Sequence, residues 1–261
     1  MPWESHMSSN VLLSRDANGV ATIRLNRPEK KNALSIAMYA ALGDALEQVE
    51  TDPSLHAILL CGAGENFTAG NDLADFANRP SDGSSPAARF LFGLAQATKP
   101  VVAAVDGHAV GVGLTMLLHC DLVYVSSRAK LRAPFVDLGL IPEAASTLLL
   151  PRLLGHVRAA ELLLLGDVLS AQRAHEFGLV NGVLSPAELE PHAYAVAARL
   201  AQKAPTALAH TKRLLRDSAG TALERMQHEF QIFAAQLTSP EAREAIAAFF
   251  DKRAPDFSKT R

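Results

Sequence analysis

Two short apolar runs, 57–61 and Val101–Val105, constrain this chain more than any other feature. Each is too short for a helix, so each reads as a buried strand. Glycines follow both, at 62, 64 and 70 after the first and at 107, 111 and 113 after the second, and helical sequence comes next. Strand, glycine turn and helix, repeated, predict an α/β front half built on a layered sheet.

Other segments fit around that frame. Residues 11–14 and 20–26 are β-rich and flank Asp16-Ala17-Asn18-Gly19 as a hairpin. Ser35 has N-cap chemistry, and Met38, Leu42, Leu46 and Val49 recur at helical spacing until Asp52-Pro53 stops them. The stretch 79–86 is rich in Ser, Gly and Pro and reads as a surface loop. A helix is expected over 89–97, another from the second glycine turn to about Cys120, and a third strand over 122–125. Beyond Ala144 the pattern is mostly helical: Ser146–Leu154, 158–165, 171–177, 186–202, 206–217, 222–237 and 240–250, with one short strand near 179–183. The first six residues, which carry the only tryptophan, Trp3, read as a cloning remnant and are set aside.

A chain of 261 residues with 49% hydrophobic and 20% charged residues can bury a sizeable core, which excludes a disordered chain. Lys and Arg number 25 against 27 Asp and Glu, a formal net charge of -2. That balance gives no general attraction to nucleic acid or to a membrane. The most apolar stretch, 109–118, is about half the length needed to span a bilayer. Cys61 and Cys120 both sit beside apolar runs and read as buried free thiols in a reducing compartment, here the cytoplasm. No metal is expected: adjacent residues such as His119-Cys120-Asp121 point in different directions and make a poor ligand set. Gly111-Val112-Gly113-Leu114-Thr115-Met116 lacks the third glycine of a dinucleotide fingerprint, and no Gly-x-Ser-x-Gly occurs.

The chemistry is expected at two turns, Phe67-Thr68-Ala69-Gly70-Asn71-Asp72-Leu73 and His108-Ala109-Val110-Gly111-Val112-Gly113. A strand-to-helix turn leaves backbone N–H groups without intrahelical partners. Two such turns side by side would aim two donors at one developing oxyanion.

With Lys99-Pro100-Val101-Val102-Ala103-Ala104-Val105-Asp106-Gly107 and Cys120-Asp121-Leu122, these turns resemble the crotonase (enoyl-CoA hydratase/isomerase) superfamily. Asn26-Arg27-Pro28-Glu29-Lys30-Lys31-Asn32-Ala33-Leu34 is similar to its opening signature. The segment 171–183 and Phe249-Phe250-Asp251-Lys252-Arg253 are similar to its later motifs. The resemblance spans residues 10–258. It implies a spiral of ββα units (7–195), a helical C-terminal trimerisation region (196–261), and a homotrimer or dimer of trimers. It implies an acyl-CoA thioester as substrate, with coenzyme A entering only as part of that substrate and no other cofactor. The oxyanion donors would be the N–H groups of Asn71 and Val112, where the family often has glycine at the second position. Arg27, Lys30, Lys31 and Lys252 would meet the CoA phosphates. Ala33, Leu34, Ala69, Asp72, Leu73 and Phe249 would line the ligand's path, Asp72 chiefly as a helix N-cap. The 79–86 loop would cover the acyl end.

Family hydratases use two glutamates. By register these would fall at Thr115 and Phe135, neither of which is acidic. A different carboxylate follows Leu140-Ile141-Pro142: Glu143, in a segment similar to that of peroxisomal-type Δ3,Δ2-enoyl-CoA isomerases and related bacterial proteins. One carboxylate suffices to carry a proton from C2 to C4 of a thioester enolate, with Leu140, Ile141, Ala144 and Ala145 expected to exclude water. Asp75 and Asp137 are rival carboxylates. A hydratase or other lyase using Glu143 with a bound water, and a non-catalytic acyl-CoA-binding scaffold, are the alternatives.

Overall fold

The computed structural model describes residues 5–76, 85–217, 226, 231–232, 235 and 239–260. The helix expected over 222–237 and most of the 79–86 loop lie outside the described residues.

The two apolar runs are β4 (Ala57–Gly62) and β5 (Val101–Val105), paired in parallel at the centre of a seven-stranded sheet. The expected hairpin is β2 (Val11–Arg15) and β3 (Val20–Leu25), and β3 pairs in parallel with β4. On the other side of β5 lie β7 (Leu122–Ser126) and, beyond it, the edge strand β10 (Gly182–Leu184). The opposite edge is β1 (Ser5–Ser8), antiparallel to β2, so Ser5, set aside on sequence, pairs with Leu13 in the sheet. A second, three-stranded sheet joins β6 (His108–Val110), β8 (Lys130–Arg132) and β9 (Leu169–Ser170).

Side chains of the main sheet alternate between two cores, as the strand period requires. Ile23, Ile58, Leu60, Val101 and Ala103 face helices α1 (Ile36–Thr51) and α3 (Pro86–Gln96). Val20, Leu59, Cys61, Val102 and Ala104 face α8 (Pro186–Ala201) through Leu189, Ala193, Ala197 and Ala201. The boundary expected after residue 195 therefore falls inside a helix whose two halves cover the same sheet face. Helix α1 forms as its spacing predicts. Ser35 Oγ accepts from the Met38 N–H at 3.2 Å, and Met38, Leu42, Leu46 and Val49 are all buried.

Shorter helices lie between, among them α2 (Leu73–Phe76), α4 (Val112–Thr115), α5 (Ser146–Leu154) and α6 (His156–Ala160). The helix expected from the second glycine turn to Cys120 changes winding. After α4 it tightens to a 3-10 segment over Met116–His119. Val112 to Leu117 are all buried, so packing rather than helical periodicity sets the winding there. The strand expected at 179–183 begins only at Gly182, because Leu179 closes helix α7 (Ala171–Glu176) by donating its N–H to the Ala174 carbonyl. Helices α9 (Pro205–Arg216) and α10 (Pro240–Phe250) follow. Cys61 is buried and Cys120 only half-buried, in contrast to the expectation for the second thiol. No helix among the described residues is long and apolar enough to cross a membrane.

Candidate active site

The two glycine turns meet through a parallel bridge between Thr68 and Ala109. The Thr68 N–H donates to the His108 carbonyl at 2.8 Å and the Val110 N–H to the Thr68 carbonyl at 3.1 Å. Only glycine permits this approach at two points. A Cβ on Gly70, whose φ is +93°, would stand 2.7 Å from the Val110 carbonyl oxygen, and one on Gly113 would stand 2.5 Å from Thr68 Cγ2.

The same turns aim their donors. A second bridge pairs Leu34 with Asn71, spending the Gly70 carbonyl and the Asp72 N–H on Leu34 at 2.8 and 2.9 Å. Backbone groups alternate sides along an extended segment, so the Asn71 N–H between them points the other way. Its side chain is fixed by a short hydrogen bond from the Tyr39 hydroxyl to Oδ1. Val112 is the first residue of α4, a position whose N–H has no intrahelical acceptor. The preceding Gly111, at φ +58° and ψ −118°, turns the chain into it.

Two cavities adjoin here, and Asn71 and Asp72 line both. One, about 460 Å³, is bounded by Lys30, Ala33, Ala69, Val112, Phe135 and Leu140, among others. The other, about 620 Å³, holds Glu143 with Leu34, Tyr39, Asp75, Leu91, Phe92 and His119. Glu143 is half-buried, with its Oε1 buried. It sits ahead of two successive alanines in left-handed conformation, Ala144 and Ala145, both at φ 54°. The Ala144 carbonyl accepts from His119 Nε2 at 2.9 Å. Burial lowers the His119 pKa, which keeps the ring neutral, and an N–H facing a carbonyl fixes the Nε2–H tautomer.

Several expected roles fall elsewhere. Arg27 lines neither cavity. Its guanidinium donates to Asp72 Oδ2 at 2.7 Å and to the Ala33 carbonyl, so it braces the first loop against the first turn. Asp72 also accepts from the Ala74 N–H at 3.1 Å, the helix-capping contact expected of it. Lys31 and Lys252 are exposed and line neither cavity, leaving Lys30 as the cation of the first loop at the cavity edge. The side chains of Leu73 and Phe249 lie outside the described residues. The residues flanking Glu143 do not seal it: Ile141 is 86% exposed, and Leu140 and Ala145 are exposed too, because the turn runs over the surface of the chain. Ala144 and Ala145 line the cavity all the same, and Leu91, Phe92 and Ala95 of α3 with Tyr39 supply the rest of its apolar wall. Asp137 is drawn away by Arg132, at 2.9 Å, and lines neither cavity, whereas Asp75 shares the cavity of Glu143 while accepting from the Ile36 N–H at 3.1 Å. Thr115 is wholly buried and Phe135 nearly so. Among the described residues no cluster of His, Cys, Asp or Glu is placed to hold a metal ion.

Tyr39 and His119 were missed as cavity residues. Tyr39 hides beside the buried stripe of α1, and His119 looked like a failed metal ligand rather than a hydrogen-bond donor.

Comparison with known proteins establishes the fold and the family. A solved enoyl-CoA hydratase/isomerase from Pseudoalteromonas atlantica T6c superposes with a TM-score of 0.76 at 44% identity, covering 95% of this chain and 99% of that one. The fold is thus the α/β crotonase spiral that the motifs imply. The profile of the enoyl-CoA hydratase/isomerase family matches residues 15–260, and the chain belongs to that family. The 1,2-epoxyphenylacetyl-CoA isomerase of Escherichia coli (strain K12) is 38% identical over 95% of this chain and 98% of its own length. The 2,3-dehydroadipyl-CoA hydratase of the same organism is 35% identical over 95% and 98%.

Proposed function

We propose that the chain moves the double bond of an enoyl-CoA from position 3 to position 2 through a thioester enolate. The N–H groups of Asn71 and Val112 hold the enolate oxygen, in adjacent turns whose spacing the Thr68–Ala109 bridge fixes. Glu143 takes the proton from C2 and returns it to C4. The observation that carries this reading is that Glu143 lines a cavity with Asn71, while Thr115 and Phe135 stand where the resemblance puts the hydratase carboxylates. The isomerisation is redox-neutral and moves one proton, so it calls on no cofactor beyond the CoA of the substrate. Lys30 is the cation best placed for a CoA phosphate. Lys252 and Phe249 would act from a neighbouring copy in a homotrimer or dimer of trimers. Exposed apolar side chains on the 141–165 segment, Val157 and Leu164 among them, support such an assembly. We place the protein in the cytoplasm, in keeping with its two free thiols.

One observation favours a second reading. Asp75 shares the cavity with Glu143, and two carboxylates around one water are what hydration needs. Isomerisation of a 3-enoyl-CoA, measured against hydration of crotonyl-CoA, separates the two. In Glu143→Gln, isomerisation should fall about 10²–10⁴-fold while CoA-ester binding persists; unchanged turnover in that variant would sink the assignment.

A further inference from the structure

The carboxylate at Glu143 depends on a turn that the local sequence does not favour. Ala144 and Ala145 are both left-handed, a conformation in which the Cβ of a non-glycine residue crowds the following carbonyl oxygen. Such strain persists only where surrounding structure over-determines it. On the C-terminal side, the Ala145 carbonyl is engaged by the Leu148 and Leu149 N–H groups at 3.0 and 2.9 Å, and the Glu143 carbonyl by the Ser146 N–H at 3.0 Å. The Ala144 carbonyl receives His119 Nε2–H at 2.9 Å. His119 is itself anchored: it ends the 3-10 segment after α4, and its own carbonyl accepts from Arg216 Nη2 of α9 at 2.6 Å.

The structure assigns to His119, by its hydrogen bond to the Ala144 carbonyl, the role of a positioning residue that holds the strained turn and so aims Glu143 into the cavity. The ring reaches this bond from the same segment that Val112 opens, so one short stretch of chain, 112–119, fixes both an oxyanion donor and the direction of the proton carrier. His119 acts through the turn and moves no proton itself. The inference rests on the reading of Glu143 as the acid/base group.

The test compares His119→Gln, which keeps a donor at similar reach, with His119→Leu, which keeps volume without one, in steady-state isomerisation of a 3-enoyl-CoA. His119→Leu should lower kcat about 10- to 100-fold, as expected for an Ångström-scale misplacement, with KM changed less than about twofold; His119→Gln should recover most of the loss. Should leucine prevent folding, His119→Asn, too short to reach the carbonyl, should show the same fall. The double variant with Glu143→Gln should be no slower than Glu143→Gln alone, since both changes act on one group. An unchanged kcat in the leucine or asparagine variant, or an additive loss in the double variant, overturns the inference. If Glu143→Gln alone retains turnover, the functional reading fails instead. The positioning bond is then still decided by the imidazole ¹⁵N shifts of His119: protonated Nε2 supports it, and protonated Nδ1 overturns it whatever the reaction.

Discussion

Replacing Gly70 with alanine measures what the contact between the two turns contributes. At φ +93° an alanine carries conformational strain of about 1–2 kcal/mol. Its Cβ would also stand 2.7 Å from the Val110 carbonyl oxygen, where ordinary contact begins at 3.4 Å. That oxygen is not the end of a flexible side chain. Val110 is tied to Thr68 through its N–H at 3.1 Å, and the Gly111 N–H to the Arg132 carbonyl at 2.8 Å. The turns must separate, and overpacking of this kind costs about 1–3 kcal/mol more. Gly178→Ala is the internal control: its φ is +76°, nothing lies within 4 Å of the added Cβ, and it closes α7 far along the chain from the turns. It should cost only the strain, about 1–2 kcal/mol, against about 2–5 kcal/mol in all for Gly70→Ala.

Denaturation with urea would give both losses, and the activity of each variant at a temperature where both are folded would complete the comparison. Gly70 precedes Asn71, so parting the turns moves the proposed oxyanion donor; removing one such donor typically costs about 10²–10³ in kcat. Gly70→Ala should approach that loss and Gly178→Ala should leave kcat within about twofold of the parent. Equal destabilisation of the two would refute the contact between the turns. A destabilised but fully active Gly70→Ala would remove the Asn71 N–H from the oxyanion site.

Three further outcomes are expected. Burial pushes the thiol of Cys61 up to about 12, so it should not react with a thiol reagent at pH 8 until the protein is unfolded, the thiolate being the reactive form. Lys212→Ala should destabilise by about 1–3 kcal/mol in chemical denaturation, because the buried Nζ bonds the Lys99 carbonyl and pairs with Asp121 at 2.7 Å, while Asp121 keeps Arg216 as a second partner. The Arg27 guanidinium holds the Asp72 carboxyl below its ordinary range. Its contribution is therefore complete above the unfolded value of about 4 and drains away as pH falls through the lower folded-state value, so Arg27→Gln should flatten the acid limb of stability against pH.

The sheet was legible because its pattern is local. Runs 57–61 and 101–105 are apolar on both faces, α1 shows its stripe and cap within sixteen residues, and the glycines at 70 and 113 mark backbone approaches that a Cβ would block. What the sequence hid depends on residues distant along the chain. The left-handed turn at Ala144 and Ala145 carries no glycine, and its stabilising partner lies 25 residues earlier in His119. The shielding expected from Leu140 and Ile141 failed because hydrophobicity alone does not say which way a surface turn faces; the wall came from α3 instead. Arg27 looked like a phosphate ligand from charge alone, but the nearest anion is Asp72, 45 residues on.

The division between what the family determines and what it leaves open follows from which atoms do each task. The proposed oxyanion donors are backbone N–H groups, fixed by strand bridges and glycine turns, so valine at position 112 leaves such a donor in place. The proposed proton carrier is a side chain, and a side chain can be supplied from any segment that reaches the cavity. Relatives named for an isomerase and for a hydratase are nearly equally similar to this chain, at 38% and 35% identity. Overall similarity therefore weighs little in choosing the reaction. The choice rests on a few positions: Thr115 and Phe135, which bring no charge, and Glu143 and Asp75, which bring theirs into one cavity. Restoring an acid at 115 alone would not convert the site. Thr115 is wholly buried and lines neither cavity, and an unpaired carboxylate there would meet the cost of desolvation before it met a substrate.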